Sequence, residues 1–173
     1  MSPTRTALIW LALVGGLFAV FSLLVSRWEN PNARVETVIA PDGAVTLVLQ
    51  RNRSGHFVAS GMINGHPVTF LVDTGATTVA VPRRLAQALD LPQGRPLRLQ
   101  TAAGTVQGAA TVLNEVALGG IRIRNVRGVI LPEAAGGAAL LGMSFLKHLE
   151  LTQRGDTLIV RLAPRRDADE RNP

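Results

Sequence analysis

Phe70-Leu71-Val72-Asp73-Thr74-Gly75-Ala76 is the stretch on which the reading of this chain turns. An apolar run leads straight into an acid, a hydroxyl and a glycine. Such a run belongs to a buried strand, so Asp73 emerges at the edge of a core. Gly75 allows a tight turn and a close approach of backbone. Thr74 and Thr77 bring hydroxyl donors near the carboxylate. These residues can fix one carboxylate in a low-dielectric site. They also describe an ordinary hairpin turn in which Asp73 hydrogen-bonds to its own backbone. The choice between the two rests on the rest of the chain.

Outward from this stretch the chain reads as short strands punctuated by turns. Residues 56–63 and 67–72 flank Asn64-Gly65, a strong hairpin signal. Residues 35–40 and 44–50 flank Pro41-Asp42-Gly43. After the Asp73 stretch comes a β-branched run, 77–81, and then Pro82, which suits the first turn of a short helix over 83–89. Residues 96–100 and 105–111 flank Thr101-Ala102-Ala103-Gly104, while 112–118 and 121–125 flank Gly119-Gly120. A further strand is expected over 126–131. A small-residue loop, 134–139, leads to Leu140-Leu141-Gly142 and a short helix over 143–147. The last hairpin is 149–152 and 157–162. Many short strands at close spacing predict an all-β barrel or sandwich with one or two short helices. No strand alternates with a long helix, so a parallel α/β sheet is not expected.

Ahead of the strands lie nineteen uncharged residues, 7–25. As a helix they span roughly 28 Å, close to the hydrocarbon thickness of a bilayer. The run is longer than the apolar region of a secretory signal, and no small-residue cleavage site follows it. The expected organisation is a transmembrane anchor in 1–29, a juxtamembrane linker over 30–34, a domain over 35–163 and a charged, disordered tail over 164–173. A short N-terminal tail stays in the cytoplasm. The expectation is therefore a single-pass protein of the bacterial inner membrane with its domain on the periplasmic or extracytoplasmic side; the competing reading of the run is an unusually long signal peptide.

Composition removes several chemistries. With no Cys, a disulfide scaffold, a thiolate metal site and a Cys nucleophile are all excluded. His56, His66 and His148 show no metal-ligand spacing, so no metal and no cofactor are expected. Seven aromatics and scattered Arg argue against a nucleic-acid platform. Arg122 and Arg124 alternate on one strand as a solvated face would. Gly142-Met143-Ser144-Phe145-Leu146 lacks the final Gly of a nucleophile elbow, which argues against a serine hydrolase.

Gly142 stands 69 residues after Asp73, at the end of an apolar-apolar-Gly motif that opens a short helix. Between the two motifs sits the Gly-bearing hairpin around 101–105. With these parts the chain resembles the retropepsin-like aspartic proteases of clan AA, over roughly 56–162, and looks closest to bacterial membrane-anchored members and to the eukaryotic ubiquitin-linked retropepsin-like domains. The resemblance implies a closed β-barrel-type acid protease domain. It implies that Asp73 is the catalytic acid/base, that Thr74 braces the loop across a dimer axis, and that the Gly75 N–H helps hold the carboxylate. Ala76 matches the Asp-Thr-Gly-Ala form. Leu140, Leu141 and Gly142 would pack beneath the loop. The hairpin tip, Ala102, Ala103, Gly104 and Thr105, would be the flap over an extended peptide substrate. Two departures stand out. The viral Gly-Arg-Asn/Asp pattern is absent, so its dimer ion pair is missing. No aromatic occurs between Asp73 and Leu141.

The implied chemistry needs two carboxylates, one taking a proton from water while the other gives one to the scissile carbonyl. A lone exposed carboxylate is ionised at neutral pH and cannot be the acid. This chain has one Asp-Thr-Gly, so an enzyme of this kind must be a homodimer. The competing reading is a non-catalytic module, tethered to the membrane, that keeps the fold for binding or dimerisation.

Overall fold

The computed structural model describes residues 29–101, 104–132 and 137–164. The apolar stretch 7–25 and residues 165–173 of the tail lie outside them. Among the described residues no helix is long and apolar enough to cross a membrane.

Among the described residues, eleven strands and two short helices follow one another: β1 (Thr37–Ile39), β2 (Val45–Gln50), β3 (Val58–Ile63), β4 (His66–Val72), β5 (Val79–Pro82), α1 (Arg83–Ala88), β6 (Pro96–Thr101), β7 (Gly104–Leu118), β8 (Ile121–Leu131), β9 (Ala139–Leu141), α2 (Met143–Leu146), β10 (Glu150–Arg154) and β11 (Thr157–Leu162). A seven-stranded sheet runs β3-β4-β9-β5-β8-β7-β6. Because β3 also pairs with β7, through Gly61 with Leu118 and Ile63 with Val116, six of these strands close into a barrel. Strand β6 hangs outside that closure as a free edge. The second sheet has four strands in the order β1-β2-β11-β10.

Local pattern explains most of this. On β2, Leu47 and Leu49 are buried while Val48 and Gln50 face out, the two-residue period of a half-buried strand. Asn64 and Gly65 take φ of 51° and 82°, the left-handed pair that a two-residue hairpin turn requires. One hydrophobic cluster joins the two sheets: Leu47, Leu49, Leu158 and Val160 from the smaller one meet Phe57, Phe70, Leu118 and Phe145 from the barrel region. Phe70 and Phe145 are fully buried, each contributing about 1.5–3 kcal/mol by burial.

Two expectations are revised. The strands read separately at 105–111 and 112–118 are one, β7. It pairs with β6 over its first part and with β8 from Ala109 onward. Residues 121–125 and 126–131 are likewise one strand, β8. Asn125 has φ of 54°, yet the register with β7 passes it unchanged. Turn-like residues had suggested breaks where long-range pairing carries the chain through. Parallel pairing is a further finding, which no local pattern announced. Strand β4 pairs parallel with β9, and β5 with β8.

The stretch 30–34, read as a linker, is hydrogen-bonded into the domain. The buried Asn32 side-chain amide donates to Gln50 O (2.8 Å) and Val58 O (2.7 Å), and its oxygen accepts from Gln50 N–H (2.7 Å). Asn32 thus stitches β2 to β3. Asn30 adds a bond to the Ser60 hydroxyl at 3.0 Å.

Candidate active site

Strand β4 delivers Asp73. It lies between β3 and β9, and its register sets Val72 beside Leu141. The Asp73 N–H donates to Leu141 O at 3.2 Å, so the loop starts from a paired strand. Asp73 Oδ1 then accepts from the Gly75 N–H at 2.9 Å, which fixes the carboxylate's direction. The chain returns with the Ala76 N–H donating to Asp73 O at 3.3 Å. This local bond alone would suit an ordinary Asp turn as well as a catalytic loop. What surrounds the loop separates the two.

The loop rests on β9 and α2. The Met143 N–H donates to Ala76 O at 2.8 Å. Gly142 has no room for a side chain. A Cβ there would lie 2.6 Å from Ala76 O and would collide with Thr78 O, both backbone atoms. Leu141 is fully buried below, and Leu140 is half-buried. Gly142 therefore lets two backbones meet, and the Asp73 loop is clamped from beneath. A simple hairpin turn has no such floor.

Ser144 completes that floor, and sequence reasoning considered it only as a nucleophile. Its buried hydroxyl accepts from Val79 N–H (3.0 Å) and donates to Arg127 O (2.7 Å). Both capacities of the hydroxyl serve backbone groups of β5 and β8, which locks α2 to the barrel. A small hydroxyl in the first turn of a short helix, next to Gly142, was the available signal.

The upper face is different. Thr74, Gly75 and Thr77 are exposed, and Asp73 is half-buried. Gly75 is not in the left-handed region, and a Cβ there would approach only Asp73 Oδ1, at 3.2 Å. Of the hairpin expected as a flap, Gly104 and Thr105 begin β7, while Ala102 and Ala103 lie outside the described residues. At its base, the Thr101 hydroxyl donates to Gly104 O and the Thr105 hydroxyl to Gln100 Oε1, each at 2.8 Å. The structure thus brings Asp73–Ala76 together with Leu140–Gly142 and sets Gly104 and Thr105 on a separate hairpin.

Residues 59–148 match the family model described as "gag-polyprotein putative aspartyl protease". The chain belongs to the retropepsin-like aspartic proteases. A retropepsin-like aspartic protease from Rickettsia conorii, solved by crystallography, is 32% identical. The likeness covers 66% of this chain and 97% of that one, with a TM-score of 0.56. An uncharacterised protein of Sinorhizobium sp., from the cobV 5′ region, is 31% identical over 91% of this chain and 72% of its own length. An uncharacterised protein of Rickettsia prowazekii is 28% identical over 83% of this chain and 63% of its own length. The retropepsin-like family assignment covers both halves of the floor-and-loop arrangement, since Asp73 and Gly142 fall inside 59–148.

Proposed function

We propose that the protein is an aspartic endopeptidase that works as a homodimer, each chain giving one Asp73. The observation that carries this is a carboxylate held by Gly75 and clamped from below by Gly142, yet half-exposed above, in a member of an acid protease family. Two such loops facing across a two-fold axis would set two carboxylates together. They would then share a proton, because two close carboxylates resist joint ionisation. One takes a proton from a water as its oxygen bonds to the scissile carbonyl carbon. The other gives its proton to the carbonyl oxygen. Collapse of the tetrahedral species breaks the C–N bond, and the amine leaves with a proton. Thr74 braces the paired loops, and the β6–β7 hairpin closes over the substrate. The free edge of β6 supports strand addition by an extended peptide, with side-chain pockets setting preference.

The anchor in 1–29 would hold the domain at the periplasmic face of the inner membrane and raise the effective concentration of the two halves. A C-terminal reporter enzyme that is active only outside the cytoplasm tests this placement, and its silence would overturn it. Catalysis is tested on an unfolded protein at mildly acidic pH, comparing the full chain with Asp73→Asn. The substitution is expected to lower cleavage at least about a hundredfold. Equal cleavage by both would sink the catalytic reading and leave the module in its place.

A further inference from the structure

Residues 26–28 are all that separates the apolar run 7–25 from Glu29, where the described chain begins. From Val25 to Glu29 even a fully extended chain reaches at most about 14 Å. The headgroup layer on one side of a bilayer is roughly 5–8 Å deep. If the run crosses the membrane as proposed above, the surface around Glu29 stands at the headgroups or just beyond them.

That surface is not on a free tether. The Asn52 side-chain amide donates to Glu29 O at 3.1 Å, the Asn30 amide to the Ser60 hydroxyl at 3.0 Å, and the Ser60 N–H to Asn32 O at 3.1 Å. Asn32 forms a parallel bridge with Ala59. Followed backwards from Asn32, the chain therefore leaves at the end of β3 occupied by Phe57 and the loop 52–56. Asn52 orders that loop as well. Its Oδ1 accepts from the Ser54 N–H (3.0 Å) and the His56 N–H (2.9 Å), and its own N–H donates to His56 O (2.7 Å). The turn after β10 joins the same end, because the Arg51 N–H donates to Asp156 O at 2.8 Å. Asp73 belongs to this end too, since the Val72 N–H before it donates to Phe57 O at 2.9 Å.

The chemistry of this end suits headgroups and not hydrocarbon. The loop exposes Arg53, Ser54, Gly55 and His56, and the turn exposes Arg154 and Gly155, with no apolar side chain among them. Two acids stand here, Glu29 and Asp156, and Asp156 is paired with Arg51 at 3.5 Å. The Arg51 guanidinium is itself held over the Phe57 ring, 5.3 Å from its centre. Arg53 and Arg154 therefore give the end its outward positive charge. The opposite end of the β3–β4 hairpin, the Asn64-Gly65 turn, lies a whole six-residue strand away, about 20 Å.

We propose that the domain is seated on the bilayer by this end, with Arg53 and Arg154 against the headgroups of anionic phospholipids and the Asn64-Gly65 turn held away from them. This rests on the anchor in 1–29 and adds the attitude of the domain upon it. The bonds at Asn30, Asn32 and Asn52 fix the angle, and the arginines hold the surface down. A groove of about 990 Å³, lined by Glu29, Asn52, His56, Val58 and Leu71, then opens at headgroup level beside the approach to Asp73.

The chain has no Cys, so a single introduced thiol carries a fluorophore without background. The full chain is placed in vesicles of phosphatidylcholine alone or of equal parts phosphatidylcholine and phosphatidylglycerol, each with a quencher on the lipid headgroup. In the mixed vesicles a label at Ser54→Cys is expected to be quenched far more than one at His66→Cys. Arg53→Glu combined with Arg154→Glu should lower the ratio of seated to lifted domain at least about tenfold there, and change little in phosphatidylcholine alone. Equal quenching at the two positions, stronger quenching at His66→Cys, or a charge reversal that leaves the mixed-vesicle signal unmoved overturns the proposal, and the anchor survives all three. A chain that does not float with the vesicles overturns the anchor and the seating together.

Discussion

The loop that carries Asp73 and the floor that carries Gly142 and Ser144 meet across a few hydrogen bonds, yet they are built on opposite terms. On the floor every group is spoken for. Leu141 and Phe145 are fully buried, the Ser144 hydroxyl uses both donor and acceptor, and Gly142 fits only because it has no side chain. On the loop, Thr74, Gly75 and Thr77 face solvent, and among the described residues a Cβ at Gly75 would approach only the Asp73 carboxylate. On the proposed homodimeric reading, one chain finishes the support and leaves the chemistry half made. The stability of the domain should depend on the floor, and its activity on the loop.

Substitutions can break or sharpen this contrast. The largest effect is expected at Gly142→Val, which forces a side chain into backbone oxygens that cannot move aside. It should cost about 3 kcal/mol or more in a denaturant titration, and a cost below about 1 kcal/mol would show that the floor yields. Next comes Ser144→Ala, which strands the Val79 N–H in a buried place. A loss of about 1–3 kcal/mol is expected, with a parallel loss of cleavage as the loop's support slackens. Gly75→Ala should do the reverse, leaving the melting midpoint of the single domain almost unmoved, within about 0.5 kcal/mol. Cleavage and dimer mass should nonetheless fall sharply, and a domain unfolded by this change would erase the contrast. The smallest effect calibrates the rest. Glu115 pairs with Arg122 (2.7 Å) and Arg124 (3.7 Å) on the solvated face of β7 and β8, away from loop and floor. Glu115→Gln should change stability by less than about 1 kcal/mol and leave cleavage intact.

The turns and strands were legible because their causes are local. Asn64-Gly65 demands a left-handed pair wherever it falls, and the alternation in 45–50 picks out Leu47 and Leu49 as inward. Asp73 was legible because an apolar strand running into Asp-Thr-Gly is a local pattern too. The gaps have one physical source. Strand β7 looked like two because its local residues do not say that its partner changes from β6 to β8 partway along. Asn32 looked like linker because the groups it satisfies, at Gln50 and Val58, come from strands that are brought together only by folding. Ser144 looked like a failed nucleophile because the amide and carbonyl it bridges, at Val79 and Arg127, are 65 and 17 residues away.

The sequence by itself determined the all-β class, the Asp-Thr-Gly loop, the apolar-apolar-Gly motif and the fact that one chain offers a single such acid. Each follows from residue type and short-range order. Only the tertiary structure decided that β4 and β9 run side by side in parallel, that Gly142 lies against Ala76 and Thr78, and that β10 is left as an outer strand of the smaller sheet. These are contacts between residues far apart in the chain, set by which surfaces can be buried together, and no local preference encodes them.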